Sequence, residues 1–206
     1  MDIILQLKEE LQVEKWQVEA AVSLIDEGNT IPFIARYRKE KTGSLNDEIL
    51  RDLNERLVYL RNLEEKKQQV LSSIEEQGKL TDELRERIEA AQTMVLVEDL
   101  YRPYRPKRKT RAGVAKEKGL EPLAAFILAQ ETTAPIEEEA AKYIHEDEDE
   151  AKSVKTAAEA LQGAKDIIAE QISDEADYRI YIRDATMREG KLVSAAKDEK
   201  AESVYE

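Results

Sequence analysis

NDEILRDLNERLVYLRNLEEKKQQVLSSIEEQ, residues 46–77, contains neither proline nor glycine. It sets Leu50, Leu53, Leu57, Leu60, Leu63, Lys67, Val70, Leu71 and Ile74 three or four residues apart. That spacing puts all nine on one face of an α-helix and leaves the charged residues on the other. The segment predicts one helix about 45 Å long, with Asn46 as N-cap and Asp47 and Glu48 in the first turn, where carboxylates favour the helix dipole. Fewer than four clean heptads, with Lys67 interrupting the seam, argue against an extended coiled coil. An intramolecular partner fits better. Gly78 and Thr81 close a turn, and Leu84, Ile88, Ala91 and Val95 return as an antiparallel helix, giving a helical hairpin over 46–97. Charged residues at 37% and aromatics at 5% suit exposed amphipathic helices and are poor material for sheets. The expected fold is all-α, a multi-helix array around this hairpin.

Toward the N-terminus, Ile3, Ile4, Leu7 and Leu11 mark a short helix over 2–12. A second spans 15–27, with Trp16, Val18, Ala21, Val22 and Ile25 inward and Gly28 just past its end. Thr30 and Pro32 open a third, carrying Phe33, Ile34 and Tyr37. These three are expected to form a compact bundle. The third ends in Arg36, Arg38, Lys39 and Lys41. The favoured reading is a solvated last turn whose cations suit a helix C-terminus; the other is a phosphate or partner contact.

Toward the C-terminus, EDLYRPYRPKRKTRAGVAKEKGLEP (98–122) holds three of the five prolines. Residues 101–118 carry eight Lys or Arg against one Glu, +7, so the total of −13 leaves −20 for everything else. Pro103 and Pro106 oppose helix and bias Arg102 and Arg105 to extended backbone, which predicts an extended basic arm over 98–118. Two readings stand level. In one, Arg102, Arg105, Lys107, Arg108, Lys109 and Arg111 neutralise phosphates while Tyr101 and Tyr104 stack on unpaired bases. In the other, the arm lies across the acidic helices of its own chain, its tyrosines packed and its guanidiniums paired with carboxylates.

Beyond the arm, a helical turn over 112–118 ends at Gly119, and Pro122 starts a helix with Leu123, Phe126, Ile127 and Leu128. A loop at 131–135 divides the chain into expected domains 1–131 and 132–206. A helix over 136–145, the acidic run 146–150, and a helix over 151–172 follow. Val154, Ala157, Ala158, Leu161, Ala164, Ile167 and Ile168 share the face of that last helix, with Gly163 allowing close packing. Ser173 or Asp174 is expected to cap a final helix carrying Tyr178, Tyr181, Ile182 and Ala185 and ending at Gly190. Leu192 to Ala196 is the one plausible strand. The closing KDEKAESVYE has no stop signal, as expected of a segment that continues.

Several function classes are excluded. Without cysteine there is no disulfide, thiolate nucleophile or Cys-bound metal. One histidine, His145, expected to stand exposed beside the acids, leaves no Ser-His-Asp triad. The N-terminus lacks the basic and apolar regions of a signal peptide, and no apolar run reaches membrane-spanning length, so the expected compartment is the cytoplasm. Gly78-Lys79 lacks the earlier glycines of a phosphate loop. Glu137, Glu138, Glu139 and the run 146–150 lack the glycine-turned loop that would fix a divalent ion. No cofactor and no enzymatic activity are expected. An acidic chain of pI about 4.8 meets nucleic acid through a patch and not with its whole surface.

The segments TIPFIARYRKEKTGSL (30–45), EEQGKL (75–80), EDLYRPYRPKRKTRAGVAKEKGLEPLA (98–124), ALQGAKDIIAE (160–170) and KDEKAESVYE resemble the N-terminal region of the bacterial Tex family of transcription accessory proteins. The likeness covers essentially the whole chain. It implies a helical region with a helix-turn-helix-like part, followed in longer family members by a nuclease-like YqgF domain, helix-hairpin-helix elements and a C-terminal OB-fold that binds RNA. It also relates the chain to the core of a eukaryotic elongation factor and histone chaperone. The implied function is a non-catalytic scaffold in transcription with weak contact to RNA or DNA. The alternative is a module docking RNA polymerase or the protein's own later domains. The resemblance assigns no catalytic residue here. Arg102 and Arg105 stand where a Leu or Val and a Lys are commoner in the family, which slightly favours a charge role for the arm.

Overall fold

The structure, a computed structural model, describes residues 2–131 and 133–195. Among them are eleven α-helices and no strand. Helices α1 (Ile3–Leu11), α2 (Lys15–Asp26), α3 (Ile31–Tyr37), α4 (Asp47–Glu76), α5 (Asp82–Ala90) and α6 (Met94–Tyr101) precede α7 (Arg111–Glu117), α8 (Glu121–Ala129), α9 (Ile136–Ala141), α10 (Ala157–Asp174) and α11 (Ala176–Glu189). No helix among the described residues is long and apolar enough to cross a membrane. The chain forms two compact units, dividing at Pro106–Lys107.

The first unit is built on α4. Asn46 caps it, its side-chain oxygen accepting from the Ile49 amide at 2.8 Å. The nine residues its spacing singles out are its buried residues. Helices α1, α2, α3, α5 and α6 pack against it. Two ion pairs clasp the outer helices to it: Arg56 with Glu10 of α1 at 2.5 Å, and Arg61 with Asp26 of α2 at 2.7 Å.

The return leg is two helices where the pattern predicts one. Ala91 leaves the helical region (φ −59°, ψ 131°), and Thr93 restarts the helix by accepting from the Leu96 amide at 3.2 Å. The Met94 amide is satisfied by Tyr59 Oη of α4 at 3.1 Å. The break rotates the apolar phase, so Val97 and Leu100 are buried while Val95 is exposed. Trp16, expected inward, is half exposed, because Val18, Ala21, Val22 and Leu24 fill the face of α2 that meets the core.

The second unit is built on α10, against which α7, α8, α9 and α11 pack. Its core joins Ala112, Ala115, Leu120, Leu123, Ala124, Ala140, Val154, Ala160, Ala164 and Ile167. The loop at 131–135 lies within this unit. Gly163 allows the close approach its position suggests: a Cβ there would stand 2.4 Å from Leu120 Cδ1 and 3.2 Å from Ala115 Cβ. Helix α9 stops at Ala141, short of the expected 145, and α10 starts at Ala157, later than 151. The reason is an antiparallel bridge between His145 and Val154. It buries Val154 from a loop, and Thr156 then caps α10 by accepting from the Glu159 amide at 3.1 Å. Ala158 consequently faces solvent.

At the end of α10 the helix runs through Asp174, so Glu175, and not Ser173 or Asp174, caps α11, accepting from the Asp177 amide. Tyr178, Tyr181 and Ile182 face outward. Residues 192–195 form no strand. Ala196 and the closing KDEKAESVYE lie outside the described residues.

Candidate nucleic-acid interface

The basic arm is shorter and more helical than its prolines suggest. Arg102 to Tyr104 form a 3-10 turn continuing α6, with Arg102 helical (φ −53°, ψ −42°). Proline fits because the first turn needs no donor from it, and the Arg105 amide closes the turn on the Tyr101 carbonyl at 3.0 Å. Only Arg105 keeps the extended backbone expected of both arginines. The tyrosines are partly spent inside the first unit. Tyr101 Oη lies 3.0 Å from Ser73 Oγ of α4, and the Tyr104 carbonyl accepts from Gln77 Nε2 at 3.0 Å. Both are half-buried.

The rest of the arm belongs to the second unit and is anchored at Lys107, whose ammonium meets Asp174 and Glu170 of α10. Burial pushes the Lys107 pKa down, but the hydrogen bonds it donates to Asp174 and Glu170 outweigh it and hold the pKa above the usual lysine value. Arg111 approaches Asp166 at 3.8 Å with its side chain largely in solvent. Arg105, Arg108 and Lys109 are exposed and make no ion pair among the described residues. Tyr101 and the Tyr104 backbone are thus bonded within the first unit and Lys107 within the second, while Arg105 before Lys107 and Arg108 and Lys109 after it stay exposed.

The second basic cluster is arranged differently. Helix α3 turns Ile31, Ile34 and Ala35 inward, with Ile34 fully buried. Phe33, Arg36 and Tyr37 therefore face outward, Phe33 at 37% and Tyr37 at 62% exposure. The two rings sit 5.3 Å apart and tilted by 46°. The Arg38 guanidinium lies 5.3 Å over Phe33, and that of Arg36 lies 6.0 Å from the Tyr37 ring.

The turn that follows is fixed from beneath. Thr42 is fully buried, and its amide bonds the Arg38 carbonyl at 3.2 Å; the Ser44 amide bonds that of Lys39 at 2.8 Å. Gln17 Nε2 of α2 donates to the Thr42 and Gly43 carbonyls at 3.1 and 3.2 Å. Gly43 adopts φ +61° beneath Trp16, where a Cβ would meet Trp16 Cη2 at 2.4 Å. Arg36, Arg38, Lys39 and Lys41 thus stand exposed on a braced turn, with no carboxylate partner among the described residues. Sequence reasoning named Arg36, Arg38 and Lys39 but not Phe33 and Tyr37. The i, i+3, i+4 spacing of Ile31, Ile34 and Ala35 is the signal that assigns those two rings to the opposite face.

His145 is exposed, its Nδ1 3.0 Å from the Tyr143 carbonyl. Among the described residues no three His, Asp or Glu side chains are grouped to hold a metal ion.

Comparison with known proteins gives the class. The family model for the Tex-like protein N-terminal domain matches residues 1–75, and that for the Tex central region matches 130–205. The chain belongs to the Tex family. It is 47% identical over 204 residues to the uncharacterized protein YdcI of Bacillus subtilis, covering 98% of this chain and 28% of that one. It is 48% identical over 192 residues to the transcriptional accessory protein Tex of Neisseria gonorrhoeae, covering 93% and 24%. A more distant human relative, S1 RNA-binding domain-containing protein 1, is 30% identical over 183 residues, covering 88% and 18%. The chain thus spans about a quarter of the length of its bacterial relatives.

Proposed function

We propose that this chain is a non-catalytic helical scaffold of a transcription accessory protein and contacts nucleic acid through its exposed cations. The observation that carries the reading is the segregation of charge: in a chain of net −13, Arg36, Arg38, Lys39 and Lys41 in the first unit, and Arg108 and Lys109 in the second, stand exposed without a carboxylate partner among the described residues. Such cations displace counterions from a polyphosphate, and the acidic remainder repels it, which confines contact to these patches. The scaffold part is supported by carboxylates that pair with cations distant in the chain. Glu10 and Asp26 pair α1 and α2 with α4, Glu159 pairs α10 with Lys118 at the end of α7, and Asp174 ties Lys107 of the arm to α10.

Fluorescence anisotropy with labelled single-stranded RNA and duplex DNA, titrated at rising salt, tests the reading. Binding with a log-log salt slope of about −2 to −4 is expected for several neutralised phosphates; absence of binding at low salt defeats it. A second reading, protein docking, is favoured by the outward face of α11, where Tyr178, Tyr181 and Ile182 are more than half exposed. Such a contact would persist at high salt.

A further inference from the structure

We propose that α3 and the turn after it form a binding site for single-stranded nucleic acid, with Tyr37 as the platform for an unpaired base and Arg36, Arg38, Lys39 and Lys41 as the phosphate contacts. The proposal rests on the reading above that exposed cations meet phosphates, and it adds the strand state and the stacking residue.

Three observations converge on this place. First, α3 buries its aliphatic side and shows solvent its aromatic side. An exposed tyrosine is unremarkable singly, but here it shares a face with Phe33 and sits among four cations. Second, residues 36–41 carry four positive charges against Glu40, a local +3 in a protein whose remainder is −16. Lysines such as Lys39 and Lys41 are depleted from protein-docking surfaces, whereas a flexible phosphodiester chain needs cations beside rings. Third, the cations are preorganised. The bonds from Gln17, the buried Thr42 and the left-handed Gly43 under Trp16 hold the turn, and ring contacts orient Arg36 and Arg38. A guanidinium resting on a ring keeps its rim of N–H donors for a phosphate.

Stacking decides the strand state. Duplex bases are already stacked and offer no face to Tyr37, while a single strand offers one at every nucleotide whatever its sequence.

The test uses the intact chain with labelled oligouridine, oligothymidine and a mixed-sequence DNA duplex at low and at physiological salt. Tighter binding of either single strand than of the duplex is expected, the two oligomers showing whether RNA or DNA is the better strand. Tyr37→Ala should weaken single-strand binding about tenfold while leaving the salt slope unchanged. The triple variant Arg36→Gln, Arg38→Gln, Lys39→Gln should flatten the slope by about 2. Far-UV circular dichroism checks the fold, and if Tyr37→Ala disturbs it, Tyr37→Leu applies the same test with the apolar volume kept. Equal or tighter binding of the duplex, or undiminished single-strand binding by the Tyr37 variant, overturns the proposal. If binding is then lost in Arg105→Gln, Arg108→Gln, Lys109→Gln, phosphate contact stands and lies on the arm; if no probe binds the unsubstituted chain at low salt, both readings fall.

Discussion

Lys67 is the one charged residue in the apolar seam of α4, and it is 1% exposed. Its ammonium lies 2.8 Å from Glu64 Oε1 and 2.8 Å from the Glu89 carbonyl. Glu89 sits in the last turn of α5, whose carbonyls have no partner within that helix, so Lys67 closes a helix C-terminus from across the hairpin. Its aliphatic stem continues the apolar seam up to that point. Lys67→Ala removes the stem and strands the carbonyl, and a loss of about 2–4 kcal/mol is expected in urea unfolding. Lys67→Met keeps the volume and should cost less than Lys67→Ala; an equal cost would mean that the polar contacts dominate. The sequence marked Lys67 as a flaw in a heptad seam. It could not show the purpose, because the carbonyl it meets is 22 residues away along the chain.

At the scale of elements, two glycines set close approaches. Gly43 combines φ +61° with Trp16 Cη2 at 2.4 Å from any added Cβ. Gly43→Ala therefore meets both the left-handed penalty of about 1–2 kcal/mol and displacement of Trp16 and Gln17. A lower melting temperature is expected, together with increased solvent quenching of Trp16 fluorescence. Gly163→Ala gains up to about 1 kcal/mol of helix propensity but drives a methyl into Leu120, which is fully buried. Overpacking costs about 1–3 kcal/mol, so net destabilisation is expected by urea unfolding, and a more stable variant would show that the α7–α10 contact yields. The existence of α4, its cap and its buried face were legible because nine residues repeat one period without interruption. The break in the return leg was not, since Ala91 to Thr93 is locally compatible with helix and yields to the Tyr59 hydroxyl and Thr93 cap.

Across the whole molecule, carboxylate pairs give stability an acid limit. The Arg56 hydrogen bond holds Glu10 below the usual carboxylate range, as the Arg61 bond does for Asp26 and the Lys118 bond for Glu159. A depressed carboxylate contributes stability that is complete above its unfolded pKa and is lost as pH falls through its folded one. The melting temperature should stay level from neutrality to about pH 5 and fall below about pH 4. Glu10→Gln should shrink that fall, and an unchanged profile would assign acid unfolding to other groups. Lys107 has the opposite sign: its raised pKa gives stability present below the unfolded value and lost as strongly alkaline pH passes through the folded one. What the sequence by itself determined was local: helix period, caps, proline and glycine punctuation, and the segregation of charge, all of which are written in neighbours within one or two turns. Only the tertiary structure decided which outward residues meet. It directed the Tyr101 hydroxyl to Ser73, the Gln77 side chain to the Tyr104 carbonyl, Lys107 to α10, and Phe33 and Tyr37 away from the core. The physical reason is that a side chain's partner depends on which faces the packed helices leave open, and that is fixed by contacts between residues distant in the chain.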